Sequence, residues 1–485
     1  MEVIIAVIAV FVVGYLLGKK TPKQKEVIIP TVNPAPAMPI VEKDNIVVKP
    51  QLNIKKADIE SLTLSAEQNA VFNELNSGTM NAYVTGKAGT GKSVLLQYFV
   101  EHTNKNVAIV APTGVAALNV NGQTIHSFFK LPPELQNLAE ITVDYKTKEL
   151  LRHLDTLVID EISMVRADLM EAINIKFKLA KDNQLPFGGV QIVMFGDLFQ
   201  LPPVVADGEL NRFFDHNFGG VYFFNAPVFK EFEYTVFELN EIFRQKDDSF
   251  IKILNSIRVG ENSEKILTEL NMRTKAELPD TGYITLAGNN GTVSAINHQK
   301  LGSLEGEEKV YVAEISGNIN EKSFPTEKNL RLKVGAQVMI LKNDRQKPPR
   351  WVNGTLGIVT KLSADIIRVN IDGVEHTISK DSWDSVRYYY DPEKRKIDKE
   401  IISSFRQFPL RLAWAITIHK SQGQTYQSVA IDLSSGAFAP GQTYVALSRC
   451  QTLEGLYLLS PIKQQDIIVD QDIIDFMKDI NNDVS

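Results

Sequence analysis

The stretch NAYVTGKAGTGKSVLLQYFVEH, residues 81–102, decides the fold. NAYVT is a short apolar run of the kind that makes a buried strand, and SVLLQYFVEH carries a helical pattern. Between them GKAGTGKS (86–93) fits the spacing G-x-x-x-x-G-K-[ST], in the strand-before, helix-after context that this loop needs. Gly86, Gly89 and Gly91 let backbone N–H groups turn inward around phosphate oxygens, and the helix start adds its dipole. Lys87, Ala88 and Thr90 complete the cradle, Lys92 reaches toward the β- and γ-phosphates, and the Ser93 hydroxyl suits magnesium.

Working outward, VAIVAPT (107–113), DTLVIDE (155–161) and VQIVMFGD (190–197) are further buried runs that end in small or polar residues. Such runs separated by helices predict a doubly wound parallel sheet with its ligands at the carboxyl ends of the strands. DTLVIDE delivers Asp160 toward a magnesium shell and places Glu161 beside it as the base for an attacking water. Together the two motifs imply ATP hydrolysis. GYITLAG (282–288) and SVAIDL (428–433) predict a second α/β unit. Between them LRLKVGAQVMILKND (330–344), WVNGTLGIVTKL (351–362) and IIRVNIDGVEHTIS (366–379) alternate with period two, and Asp372-Gly373 marks a hairpin. A small antiparallel β insert over residues 300–402 follows.

At 485 residues, with 44% hydrophobic and 23% charged residues, the chain is long enough for two to four globular domains. The net charge of −6 leaves polyanion binding to a local groove. Cys450 is the only cysteine, which excludes an internal disulfide framework and a cysteine-ligated metal cluster. The chain opens MEVIIAVIAVFVVGYLLGKK, with an acidic residue at the start, lysines after the apolar run and no small-residue cleavage site. That pattern predicts an N-terminal transmembrane helix over residues 1–18, in contact with the lipid bilayer through residues 3–18. Lys19 and Lys20 then hold the catalytic part on the cytoplasmic side of a single-pass membrane protein. Prolines at 22, 30, 34, 36, 39 and 50 make residues 19–57 a tether.

Further on lie GDLFQLPPV (196–204), LNEIFRQ (239–245), TIHKSQGQTY (417–426) and GQTYVALSRC (441–450). Gln200 suits a γ-phosphate contact, and Arg244 and Arg449 suit transition-state charge. The ordered set GKAGTGKS, APTGVAALNVNGQTIHSFF, VIDEISMV, GDLFQLPPV, EIFRQ, PLRLAWAITIHKSQGQT and YVALSRC resembles the PIF (petite integration frequency) family of DNA helicases. That family is in superfamily 1, group B, and is related to the RecD and Dda helicases. The resemblance covers roughly residues 58–462, and SMVRADLMEAINIKFKLAKDN (163–183) looks like the segment characteristic of the family.

The resemblance implies two RecA-like lobes, 58–235 and 236–299 plus 403–465, an SH3-like insert at 300–402, and a small duplex-splitting wedge at 131–150. ATP with Mg2+ is the implied cofactor pair. Lys92, Asp160, Glu161, Gln200, Arg244 and Arg449 are the implied catalytic set, with Ser93 and Asp160 toward magnesium. Gln68 would read adenine, and Gln422 would couple ATP to the second lobe. Thr113, His126, Ser127, Phe128, Thr417 and His419 would contact DNA, with single-stranded and forked DNA as partners and translocation 5′ to 3′. The alternatives are a membrane-anchored ATPase stimulated by nucleic acid without productive unwinding, and an RNA-directed motor. The acidic tail 466–485 reads as a surface helix with one packed face.

Overall fold

Residues 63–482 are described by the computed structural model, apart from 206–207, 246, 262, 280, 318, 320, 322–323 and 347–348. Six parallel strands form the first sheet: β1 (Ala82–Gly86), β2 (Val107–Ala111), β3 (Gln123–Thr124), β4 (Thr156–Ile159), β5 (Gln191–Phe195) and β6 (Thr235–Leu239). Their order is β3-β2-β4-β5-β1-β6. Side chains alternate between two faces, so each strand must be apolar on both. Val84, Ile109, Val158, Val193 and Phe237 pack with Val71, Leu75, Leu95 and Phe99 of the helices Ala66–Ser77 and Lys92–His102. Tyr83, Val110, Ile159, Met194 and Val236 turn the other way, onto Met170, Ile173 and Phe177 of the helix Ala167–Lys181.

The second parallel sheet uses β7 (Ile284–Ala287), β18 (Ala415–Thr417), β19 (Val429–Asp432) and β20 (Leu456–Leu458), in the order β18-β7-β19-β20. Phe250, Ile253, Leu254 and Ile257, at helical spacing on Asp248–Val259, help close its core.

Antiparallel strands lie between β7 and β18 in sequence. They are β8 (Lys309–Val312), β9 (Glu314–Ser316), β10 (Asn329–Leu332), β11 (Gln337–Ile340), β12 (Leu356–Leu362), β13 (Ile366–Ile371), β14 (Val374–Ser379), β15 (Asp381–Asp391), β16 (Lys396–Gln407) and β17 (Leu410–Leu412). β13 and β14 pair up to Ile371 and Val374, leaving Asp372 and Gly373 as the turn, both with positive φ (50° and 85°). This is the geometry that an Asp-Gly hairpin favours. The antiparallel pairing continues to Leu412, past the 402 read from sequence, because β16 stays paired through Gln407 and β17 joins β11. Likewise β6 keeps the first sheet going to Leu239, beyond 235.

The long β15–β16 hairpin reaches back to the first lobe. The Ile109 N–H donates to the Tyr388 hydroxyl (3.1 Å), Lys399 Nζ donates to the Asn121 carbonyl (2.7 Å), and Tyr390 stacks on His153 at 3.5 Å. The carboxyl-terminal helix Gln471–Asn482 also lies on the first lobe. Its Ile473, Met477 and Ile480 are buried, and Phe476 stacks on Phe224 at 4.0 Å.

The N-terminal transmembrane helix and single-pass membrane localisation expected from sequence are not supported by the structure. No helix among the described residues is long and apolar enough to cross a membrane. Residues 1–18 and the tether 19–57 lie outside the described residues. The apolar run itself has sixteen residues (3–18), about 24 Å as a helix against a ~30 Å hydrocarbon core.

Candidate active site

The carboxyl ends of β1, β4 and β5 converge on one edge, and each carries one part of the candidate site. After β1 the chain turns through Gly86, Gly89 and Gly91 at φ 148°, 90° and 79°. At Gly86 a Cβ would lie 2.5 Å from the Leu239 carbonyl, so both conformation and space exclude a larger residue. Lys92 folds over this loop and donates to the Gly86 and Lys87 carbonyls at 2.6 and 3.1 Å. The Thr90 hydroxyl also donates to the Lys87 carbonyl (3.0 Å). Ser93 follows Lys92 in the first turn of the helix.

After β4, Asp160 donates its N–H to the Val110 carbonyl (2.9 Å), and Glu161 takes a left-handed backbone with φ 50° and ψ 47°. A glutamate held in that region stores strain. Burial drives both carboxyls up, and the charge of Glu161 adds to the rise at Asp160. Burial also pushes the Lys92 ammonium down to about 8, against the pull of Asp197 and Glu161. Arg244 is lowered by burial and by the charge of Arg449; burial lowers Arg449 as well. Charged groups of both signs are thus buried together at this edge, where a triphosphate with a divalent metal would bring both an anion for the cations and a cation for the carboxylates. The Ser93 hydroxyl and Asp160 carboxylate are hard oxygen donors of the type magnesium takes.

The second lobe closes the cleft. Gln422 Nε2 donates to Glu161 Oε2 (3.1 Å) and to Gln200 Oε1 (3.4 Å), so three residues read separately in sequence meet. Arg244 Nη1 and Gln245 Nε2 donate to the Ser448 carbonyl, and the Phe243 N–H donates to the Gly89 carbonyl (2.9 Å). Arg449, 1% exposed, donates to the Val445, Ser421 and Gln424 carbonyls and to the Ser448 hydroxyl. Tyr444 was not singled out in the sequence, yet its hydroxyl accepts the Ala88 N–H of the glycine loop (3.0 Å). Gln68 is placed against the same loop: its Nε2 donates to the Thr90 carbonyl (3.3 Å), while its Oε1 accepts the Ser65 N–H (3.1 Å). Ser65 and Gln68 form a capping box, so the glutamine fixes a helix start as well as touching the loop.

Residues 63–267 match the family model described as PIF1-like helicase, and residues 315–362 match DNA helicase Pif1, 2B domain. The ATP-dependent DNA helicase Pif1 of Bdellovibrio bacteriovorus is 34% identical over 432 residues, covering 87% of this chain and 93% of that protein. The chain belongs to the PIF1-like helicase family. Among solved structures, Bacteroides sp. Pif1 in complex with ADP-AlF4 superposes with a TM-score of 0.80 at 39% identity, over 87% of this helicase and 98% of that chain. A Bacteroides Pif1 helicase in complex with ADP-AlF3 and ssDNA has the same identity and coverage at a TM-score of 0.62. At equal identity and coverage, this helicase superposes better on the first.

The residues expected to meet DNA are divided between the two lobes. Thr113 follows β2 and caps the helix Gly114–Asn119 by accepting the Ala116 N–H (3.1 Å). Thr417 ends β18 and its hydroxyl accepts the Lys420 N–H (3.2 Å), with His419 half-exposed two residues on. His126 is half-buried and Ser127 exposed on the short helix Ile125–Phe129. Phe128 is 4% exposed, edge-on to Phe129 and to Tyr388 of the long hairpin, so protein covers its ring. An aromatic that does face out beside His419 is Phe438, 64% exposed and near-parallel to that imidazole at 6.4 Å. The phenylalanine in SSGAFAPGQ was not read as functional; an apolar residue in a Gly/Pro-flanked loop was the available signal.

The segment expected as a wedge is anchored from the family-characteristic stretch. Arg166 and Asp168 pair at 2.9 Å, Asp168 accepts the Gln136 N–H (2.9 Å), and Arg166 donates to the Glu134 carbonyl (2.9 Å).

Proposed function

We propose that this helicase hydrolyses ATP between its two lobes to move 5′ to 3′ along single-stranded DNA and to split duplex at segment 131–150. The contact of Gln422 with both Glu161 and Gln200 carries the reading, because it joins the hydrolytic residues of one lobe to the strand-binding edge of the other. Gly86 to Ser93 and Lys92 hold the phosphates, and Gln68 lies where the adenine end would be read. Magnesium, when bound by Ser93 and Asp160, neutralises charge on the phosphate oxygens. Glu161 accepts the proton of the attacking water as its oxygen bonds to the γ-phosphorus and the bond to ADP breaks. Arg244 and Arg449 face the negative charge that develops on the transferred group. Thr113, His126, Ser127, Thr417 and His419 hold the strand through phosphate-directed hydroxyl, imidazole and amide groups, and Phe438 offers a face for a base.

ATPase measured with single-stranded DNA, with RNA and with neither tests this reading. Turnover stimulated by DNA and lost in Glu161→Gln, with nucleotide binding kept, is the expected pattern. Equal turnover in all three conditions would overturn it.

A further inference from the structure

The helix Asp248–Val259 presents Phe250, Ile253, Leu254 and Ile257 to the second-lobe core, and Arg258 is the next position of the same stripe. A charge at a core-facing position is costly unless it is paired. Arg258 is 6% exposed and its partner is in the other lobe: Nη2 donates to Asp197 Oδ1 at 2.9 Å. The Asp197 side chain is fully buried in that pair. The guanidinium also lies over the Phe199 ring, 4.2 Å from its centroid.

Asp197 does more than neutralise the arginine. Its Oδ1 accepts the Phe199 N–H (3.2 Å), and its Oδ2 accepts Gln200 Nε2 (3.3 Å). Gln200 in turn accepts from Gln422 Nε2 at 3.4 Å, and the same amide donates to Glu161 at 3.1 Å. A continuous polar path therefore runs from Arg258 through Asp197, Gln200 and Gln422 to Glu161, crossing between the lobes three times. Asp197 also attracts the Lys92 ammonium.

We propose that Arg258 is a positioning residue for ATP hydrolysis: it holds Asp197, and through it fixes Gln200, only when the second lobe is docked on the first. The inference rests on the ATPase reading of the cleft and deepens it, because the glutamine facing the γ-phosphate then reports lobe docking as well as nucleotide.

The test compares DNA-saturated kcat, ATP KM and thermal midpoint in the full chain for Arg258→Ala, Arg258→Lys, Gln200→Ala and the Arg258→Ala/Gln200→Ala pair. Arg258→Ala is expected to lower kcat by about tenfold or more, with Arg258→Lys recovering most of the loss. On the Gln200→Ala background, Arg258→Ala is expected to cost less than about twofold more, since both act through one path. A full additional loss on that background, or wild-type kcat in Arg258→Ala, overturns the proposal. Should Arg258→Ala fail to fold, Arg258→Gln on the two backgrounds gives the same comparison. A wild-type chain without DNA-stimulated turnover would instead sink the ATPase reading itself.

Discussion

The two lobes begin alike and diverge within one turn. In the first, β1 runs into GKAGTGKS, and four residues separate Gly86 from the helix cap at Gly91. In the second, β7 runs into GNNGTVS (288–294), and the helix Asn290–Ser303 starts at once, capped by the Asn289 side chain accepting the Thr292 N–H (2.9 Å). An asparagine cap spends a side-chain oxygen on the donors that a glycine loop leaves facing outward for phosphate. The second lobe thus has the sheet but not the anion cradle. Both lobes nevertheless keep a threonine-capped turn at the end of another strand, Thr113 after β2 and Thr417 on β18. One lobe carries the glycine loop, and both carry residues expected to meet the strand.

Breaking the cradle is expected to have the largest effect. Lys92→Ala removes the cation over the loop and is expected to reduce ATPase by about a thousandfold or more. The matching change in the second lobe, Asn289→Ala, is expected to cost only about 1 kcal/mol of helix stability and to leave nucleotide affinity intact. Steady-state ATPase and thermal melts of the two variants make the contrast. Equal losses of turnover would mean that the lobes are not divided in this way.

The strand-binding half of the comparison turns on Phe438, which gives the second lobe an exposed aromatic where the first lobe's Phe128 is covered. Phe438→Ala is expected to weaken single-stranded DNA binding by about 1–3 kcal/mol, read by fluorescence anisotropy at fixed salt. Phe128→Ala is expected to lower the melting temperature instead. The reverse assignment would place the base-stacking surface on the first lobe.

A smaller effect sharpens the cradle's electrostatics. The Lys92 ammonium, lowered by burial to about 8, binds phosphate in its protonated form. Bound phosphate favours the charged form and raises that value, so ATP binding takes up a proton above pH 8. Affinity is then expected to be flat below pH 8 and to weaken above it, by at most about tenfold per pH unit. Titration calorimetry in two buffers of different ionisation enthalpy measures the proton uptake. No uptake at pH 9 would contradict the lowered lysine.

The first lobe was legible because its chemistry is local: the glycine loop, the buried runs and the Asp160-Glu161 pair each sit within a few residues. The Asp372-Gly373 hairpin was legible for the same reason. What escaped was set by distant packing. That Tyr388 covers Phe128 and takes the Ile109 N–H depends on a hairpin nearly three hundred residues away, and no local pattern carries it. Ser65 and Gln68 did carry a local signal, the capping box, which the resemblance to an adenine-reading glutamine obscured. Arg258 was visible as a charge in an apolar stripe, but its meaning depends on Asp197 in the other lobe. The opening apolar run offers only hydropathy over sixteen residues that lie outside the described ones, and no described helix supports a membrane span.

The most direct test of a two-lobed motor is unwinding of otherwise identical forks carrying a single-stranded tail on only the 5′ or only the 3′ end, in single-turnover conditions with ATP and magnesium. Rapid strand separation of the 5′-tailed fork, absent with Lys92→Ala and slow with the 3′ tail, is the expected result. Preferred unwinding of the 3′-tailed fork, or no unwinding of either despite DNA-stimulated ATPase, would contradict it.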